Sequence, residues 1–390
     1  MKVFAIIKKG WAGASIMALA MVIIMAYGHA VQAEPIKIGL MAPLTGPAAA
    51  DGLSVKQSCE MLVENINAAG GINGNKIKLI VYDDQFDAKQ AVIVAHKMIE
   101  GDKVVAGVSG SYSFTSRAAA QVFQENKVPF SVGYAVHPAV TAGGPYVFRV
   151  TILGHVQGKA GGMAAAKLMG VKTVSMLIQD NDFGQSLAKG FRMYAEKLGL
   201  KIVSADKFKM GEKEFSPVLT KIKKLNPDLI YNTAYPHDGA LILKQAADLG
   251  IKAKQMGSEG LDSTIGFLEV AGKAAEGIVI TTNLDRDSTV PITRKYLDGY
   301  EKKYGVAPDM TGASTYDALL MIIDAIKKVG TDSEKIIQAF RTMKGWQGVT
   351  GKIQEFTPNG EVIKDVELQV VKGGKFRRFG VISDQKVLQP

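Results

Sequence analysis

The residues of this chain equipped for chemistry lie in short turns, each following an apolar run. They are Pro43-Leu44-Thr45-Gly46-Pro47, Ser109-Gly110-Ser111-Tyr112-Ser113 and Gly133-Tyr134-Ala135-Val136-His137, then Asp180-Asn181-Asp182-Phe183-Gly184, Thr233-Ala234-Tyr235-Pro236-His237 and Ser258-Glu259-Gly260. Hydroxyls, aromatics and single acids dominate them. Where such a turn leads into a helix, the first backbone N–H groups are free, and with Ser or Thr hydroxyls beside them they hold a carboxylate without a basic side chain. An acid on the facing wall completes a site for a zwitterion. Glu259 would take the ammonium and the amides the carboxylate, while Tyr112, Tyr134, Phe183 and Tyr235 wall the apolar remainder. A buried carboxyl without a partner is costly, so Glu259 must meet a cation or take up a proton. The simpler reading of any one Ser or Thr here is a helix cap.

Signatures of catalysis are incomplete. Gly107-Val108-Ser109-Gly110-Ser111 nearly spells a nucleophile elbow, but Ser stands at the fifth position, where Gly is needed for the tight turn. Gly154-His155-Val156-Gln157-Gly158-Lys159 is one residue too short for a phosphate-binding loop, and no strand runs directly into it. His96, His137, His155 and His237 are dispersed, with no two at metal-ligand spacing. Tyr82-Asp83-Asp84 ends a strand and could suggest a cation site, though helix capping and solvation explain it more simply. The pattern is that of a binder rather than an enzyme, with no metal and no cofactor.

Such turns need a scaffold that brings them to one edge. Apolar, β-branched runs at 36–42, 77–82, 104–108 and 128–132 read as buried strands, with helical patterns at 53–68, 88–100 and 115–126 between them. That alternation predicts a parallel sheet covered on both faces. A second series has strands at 171–179, 201–208, 228–232, 254–257 and 277–281, with helices at 184–198, 215–225, 238–249 and 263–271. Helices at 290–304, 311–329 and 333–343 follow and most simply return to the first unit. Strands at 350–356, 361–371 and 375–382 end the chain, with Pro358-Asn359-Gly360 and Lys372-Gly373-Gly374 as hairpin turns. The expected fold class is α/β: two doubly wound lobes, two or three crossings between them, and a cleft at the carboxyl ends of the strands, where open sheets place ligands.

The first 33 residues set the compartment. Lys2, Lys8 and Lys9 precede an apolar stretch of 17 residues from Trp11 to Tyr27, and Val31-Gln32-Ala33 suits a cut after Ala33. This is the pattern of a cleavable signal peptide, which predicts a periplasmic product; a retained anchor is the alternative. Without that segment the chain keeps 44 basic and 37 acidic residues, a net charge of +7. Charges of both signs are interspersed, which describes a solvated surface rather than a nucleic-acid patch. Cys59, the single cysteine, reads as a small buried apolar residue.

Several of these motifs together resemble a known family. Leu44-Thr45-Gly46-Pro47, Asn67-Ala68-Ala69-Gly70-Gly71-Ile72-Asn73-Gly74 leading to Tyr82-Asp83-Asp84, Tyr235-Pro236-His237 and Met256-Gly257-Ser258-Glu259-Gly260 resemble the periplasmic leucine/isoleucine/valine-binding proteins, type I solute-binding proteins of ABC importers. The resemblance runs over residues 35–385. It implies three crossovers, near 150–154, 281–284 and 362–364, dividing the chain into 34–152 with 283–362 and 153–282 with 363–390. It also implies that Ser111 or Ser109 holds the ligand carboxylate, that Tyr235 and Glu259 help hold the ligand, and that a monomer hands its cargo to a membrane permease. Three positions depart from the pattern: Val136 stands where a threonine is common, Asp51 where a tyrosine is, and Phe183 in place of the second-lobe wall tyrosine. The expected ligand is a small amphipathic amino acid, branched-chain or related; an aromatic carboxylate or an amide is the alternative.

Overall fold

The computed structural model describes residues 34–390. The expected signal peptide and its cut after Ala33 lie outside the described residues. The chain begins with β1 (Ile36–Ala42), α1 (Ala49–Ala68), β2 (Ile77–Asp83), α2 (Ala88–His96), β3 (Ala106–Ser109), α3 (Ser113–Glu125), β4 (Phe130–Val132) and β5 (Val147–Arg149). These strands form a sheet in the order β2-β1-β3-β4-β5, every pair parallel. β1, β3 and β4 are buried on nearly every residue, as a sheet covered on both faces requires.

The second series runs α4 (Gly154–Lys167), β6 (Thr173–Gln179), α5 (Asp182–Lys197), β7 (Lys201–Phe208), α6 (Ser216–Leu225), β8 (Leu229–Asn232), α7 (Pro236–Asp248), β9 (Lys254–Gly257) and β10 (Val279–Thr282). Three helices follow: α8 (Pro291–Tyr304), α9 (Met310–Val329) and α10 (Ser333–Arg341). Then come β11 (Lys344–Gly348), β12 (Gly351–Phe356), β13 (Val362–Ile363), β14 (Val366–Lys372), β15 (Lys375–Ile382) and a last turn of helix, α11 (Gln385–Leu388). The second sheet has the order β15-β14-β10-β9-β8-β6-β7; the β10–β14 and β14–β15 pairs are antiparallel and the rest parallel. β11, β12 and β13 make a small antiparallel sheet of their own.

As expected, the helices after β10 return to the first lobe: α9 lies along α1. Small residues permit the approach, since a Cβ on Gly312 would sit 2.5 Å from Ser58 Oγ and 2.6 Å from Ser54 Oγ. Cys59 is fully buried in this core, and burial pushes its thiol up. The chain passes from the first sheet to the second at 150–153, leaves the second for the helices over α1 at 283–290, and returns to it from the small sheet at 364–365.

The elements differ from expectation in several places. α3 starts at Ser113 rather than 115. α5 starts at Asp182 rather than 184, because Asn181 caps it by accepting from Gly184 N at 2.8 Å. The apolar run 361–371 is not one strand: it breaks at Lys364-Asp365, with β13 in the small sheet and β14 in the large one. Lys364 is buried at the break, its Nζ donating to Thr350 Oγ1 at 2.8 Å. The helix expected at 263–271 is a π-helical turn at Thr264–Glu269 capped by Ser263, and β11 appears where no strand was expected.

Candidate ligand cleft

Asp51 stands in the first turn of α1, and its position depends on its neighbour. A Cβ on Gly52 would lie 2.0 Å from Pro43 O, so only glycine lets α1 sit this closely over the turn after β1. Asp83 fixes the same turn from β2, accepting from Leu44 N at 2.9 Å and Thr45 Oγ1 at 2.6 Å. Tyr82-Asp83-Asp84 is therefore a brace for the loop. Asp51 is buried, and Tyr112 donates its hydroxyl to Asp51 Oδ2. Burial pushes the Asp51 carboxyl up to about 6, opposed by that hydrogen bond.

Four aromatic rings cross from lobe to lobe. Tyr112 and Tyr134 meet edge to face at 5.6 Å, Tyr112 and Tyr235 edge to face at 4.8 Å, and Tyr235 stacks on Phe183 at 4.7 Å. Tyr134 donates to Gly110 O at 3.1 Å, which ties it to the β3 turn. Behind it the buried Arg149 donates to the carbonyls of Ala135 and His137 and so holds the β4 turn in place. At the rim Arg117 of α3 reaches Asp182 of α5 at 2.8 Å, so the lobes are closed on each other. About 20 Å³ remains open among the rings, room for one water.

Glu259 begins a short helical turn after β9, where Ser258 Oγ accepts from Gly260 N at 3.3 Å. Its Oε2 meets Thr151 Oγ1 and Asn283 Nδ2, each at 3.4 Å, from two of the three crossings. Both bonds are long. Burial pushes the Glu259 carboxyl up to about 8, with Asp262 adding to the rise and Gln157 and Thr151 opposing it. Asp262, beside it, is paired with Arg286 and accepts from Thr282 Oγ1 at 2.6 Å and Met310 N at 3.2 Å.

Six of the residues singled out in the sequence therefore line one cavity: Asp51, Tyr112, Tyr134, Phe183, Tyr235 and Glu259. Three others lie behind it. Ser109 Oγ is bonded to Ser116 Oγ at 2.7 Å, and Ser111 Oγ to Thr115 Oγ1 at 2.7 Å, so both hydroxyls are engaged away from the cavity. Val136 is fully buried against the start of α4. The hydroxyl that reaches the cavity from this turn is Ser113. Its Oγ accepts from Val136 N at 3.2 Å and His137 N at 3.3 Å, which leaves its proton free to donate into the cavity. Beside it the amides of Ser113, Phe114 and Thr115 at the start of α3 have no partner among the described residues. Sequence reasoning also missed Asp262, Ser263, Met310 and Thr311 in the wall. They lie beyond the turns that directly follow strands, where no pattern pointed.

Residues 35–375 match the model of a family described as periplasmic binding protein. The leucine-, isoleucine-, valine-, threonine- and alanine-binding protein of Pseudomonas aeruginosa is 31% identical over 337 residues, covering 86% of this chain and 89% of its own. The Leu/Ile/Val-binding protein of Escherichia coli K12 is 31% identical over 77% of this chain and 82% of its own. Among solved structures, the leucine-binding protein LivK of Thermotoga maritima superposes with a TM-score of 0.84 at 30% identity, over 90% of this chain and 99% of its own. A solute-binding protein of R. palustris, solved with benzoate, shares the fold with a TM-score of 0.81 at 22% identity over 90% of this chain and 98% of its own. Two closed α/β lobes, a cleft walled from both and this kinship lead to one assignment: the chain belongs to the periplasmic leucine/isoleucine/valine-binding protein family, the type I solute-binding proteins of ABC importers.

Proposed function

We propose that this protein binds a small amphipathic amino acid between its lobes, closes on it, and delivers it to an inner-membrane permease. The observation that carries the reading is the opposition of charge preferences across one cavity. On one side are the free amides of α3 and the Ser113 proton, which suit a carboxylate; on the other is Glu259, buried with only two long hydrogen bonds, which suits an ammonium. The relatives named for branched-chain amino acids support it. An aromatic carboxylate would use the amides and the rings but leave Glu259 and Asp51 unanswered.

The division that would move is 34–152 with 283–362 against 153–282 with 363–390, the chain acting as a periplasmic monomer freed by cleavage after Ala33. Closure follows from a ligand that touches both lobes, because contacts made only in the closed state shift the population toward it. Calorimetric titration of the mature protein with the common L-amino acids and with benzoate-type acids tests the proposal. Binding of at least one amino acid, weakened in Glu259→Gln, supports it; binding of aromatic acids alone rejects it.

A further inference from the structure

Of the three acids that line the cavity, two have no salt-bridge partner among the described residues. The third, Asp262, is matched by Arg286 Nη1 at 3.0 Å. Asp51 and Glu259 have neutral partners alone: the Tyr112 hydroxyl for the first, Thr151 and Asn283 at 3.4 Å for the second. They come from opposite lobes, are 4% and 3% exposed, and line the same cavity. A separate observation points the same way. Thr311 lines that cavity at 5% exposure, and its Oγ1 has no hydrogen-bond partner among the described residues. Polar atoms buried this deeply are normally satisfied, so a group from outside the chain is expected to meet it.

A single α-ammonium answers one carboxylate and leaves the other without a counter-charge in the same closed cavity. Asp51 also borders an outer chamber of about 470 Å³ between the lobes, walled in part by Phe86, Met210 and Val270. A side chain leaving the inner site for that chamber passes Asp51. We propose that the cleft is built for an amino acid whose side chain carries a second ammonium, with Glu259 holding one cation and Asp51 the other while Thr311 Oγ1 hydrogen-bonds the ligand. This rests on the amino-acid reading above and narrows it.

Calorimetry on the mature protein decides it with six probes: L-leucine, L-glutamine, and the diamino series of 2,3-diaminopropionate, 2,4-diaminobutyrate, L-ornithine and L-lysine. At least one diamino acid binds tenfold or more tighter than leucine and glutamine, and Asp51→Asn cuts that preference at least tenfold. Leucine or glutamine binding as tightly as every diamino acid overturns the inference but leaves the amino-acid reading standing; so does an Asp51→Asn variant that weakens all probes equally. Failure of every amino acid to bind removes both. Should Asp51→Asn not fold, the wild-type series decides alone.

Discussion

Glu259 concentrates the chemistry of the site at the scale of single residues. Removing its charge should weaken binding of an amino-acid ligand by about 30-fold to 5,000-fold, the cost of truncating one partner of a buried charge pair at about 2–5 kcal/mol. Titration calorimetry of Glu259→Gln measures this. Its carboxyl, which burial in the closed form pushes up to about 8, must be ionised to hold an ammonium. Affinity should therefore rise as pH increases from 6 toward 8 and level off above it. A flat profile would mean that no proton leaves on binding. Ser113→Ala should cost about 1.5–3 kcal/mol, a hydrogen bond to a charged group, whereas Ser109→Ala should leave the dissociation constant nearly unchanged. The sequence made the turn legible but not the choice among its three serines. Moving the start of α3 two residues earlier turns Ser113 toward the cavity and leaves Ser109 and Ser111 to bond within the turn and the helix.

Elements carry the precision that the residues need. α1 presents Asp51 only because Gly52 lies against Pro43 O, so Gly52→Ala must push the helix off that turn. Forcing a methyl into such a contact costs about 1–3 kcal/mol, and thermal unfolding should show the loss together with weakened ligand binding. The strand-helix alternation was readable throughout both lobes because buried parallel strands are short, β-branched runs bounded by turns. The break inside 361–371 was not. That stretch is apolar enough to pass for one strand, and what divides it is the long-range burial of Lys364 against Thr350, which local pattern cannot register. Asp51 poses the converse case: the resemblance marks it as an acid where a tyrosine is common, and whether it lines one cavity with Glu259 depends on the approach of two lobes distant in sequence.

The whole molecule is tied together where its chain crosses. Arg149, at the end of β5, pairs with Glu361 beside β13 at 2.8 Å, both side chains buried, and also holds the β4 turn that carries Tyr134. Arg149→Met leaves Glu361 as an uncompensated buried charge and should cost about 3–5 kcal/mol in chemical denaturation. Glu259 touches Thr151 and Asn283 of two crossings, so the group proposed to meet the ligand also meets segments that join the lobes. The most direct test of this account is mass spectrometry of the small molecule released on denaturing freshly purified mature protein. The account predicts an amino acid; an aromatic acid or another molecule without an amine would contradict it.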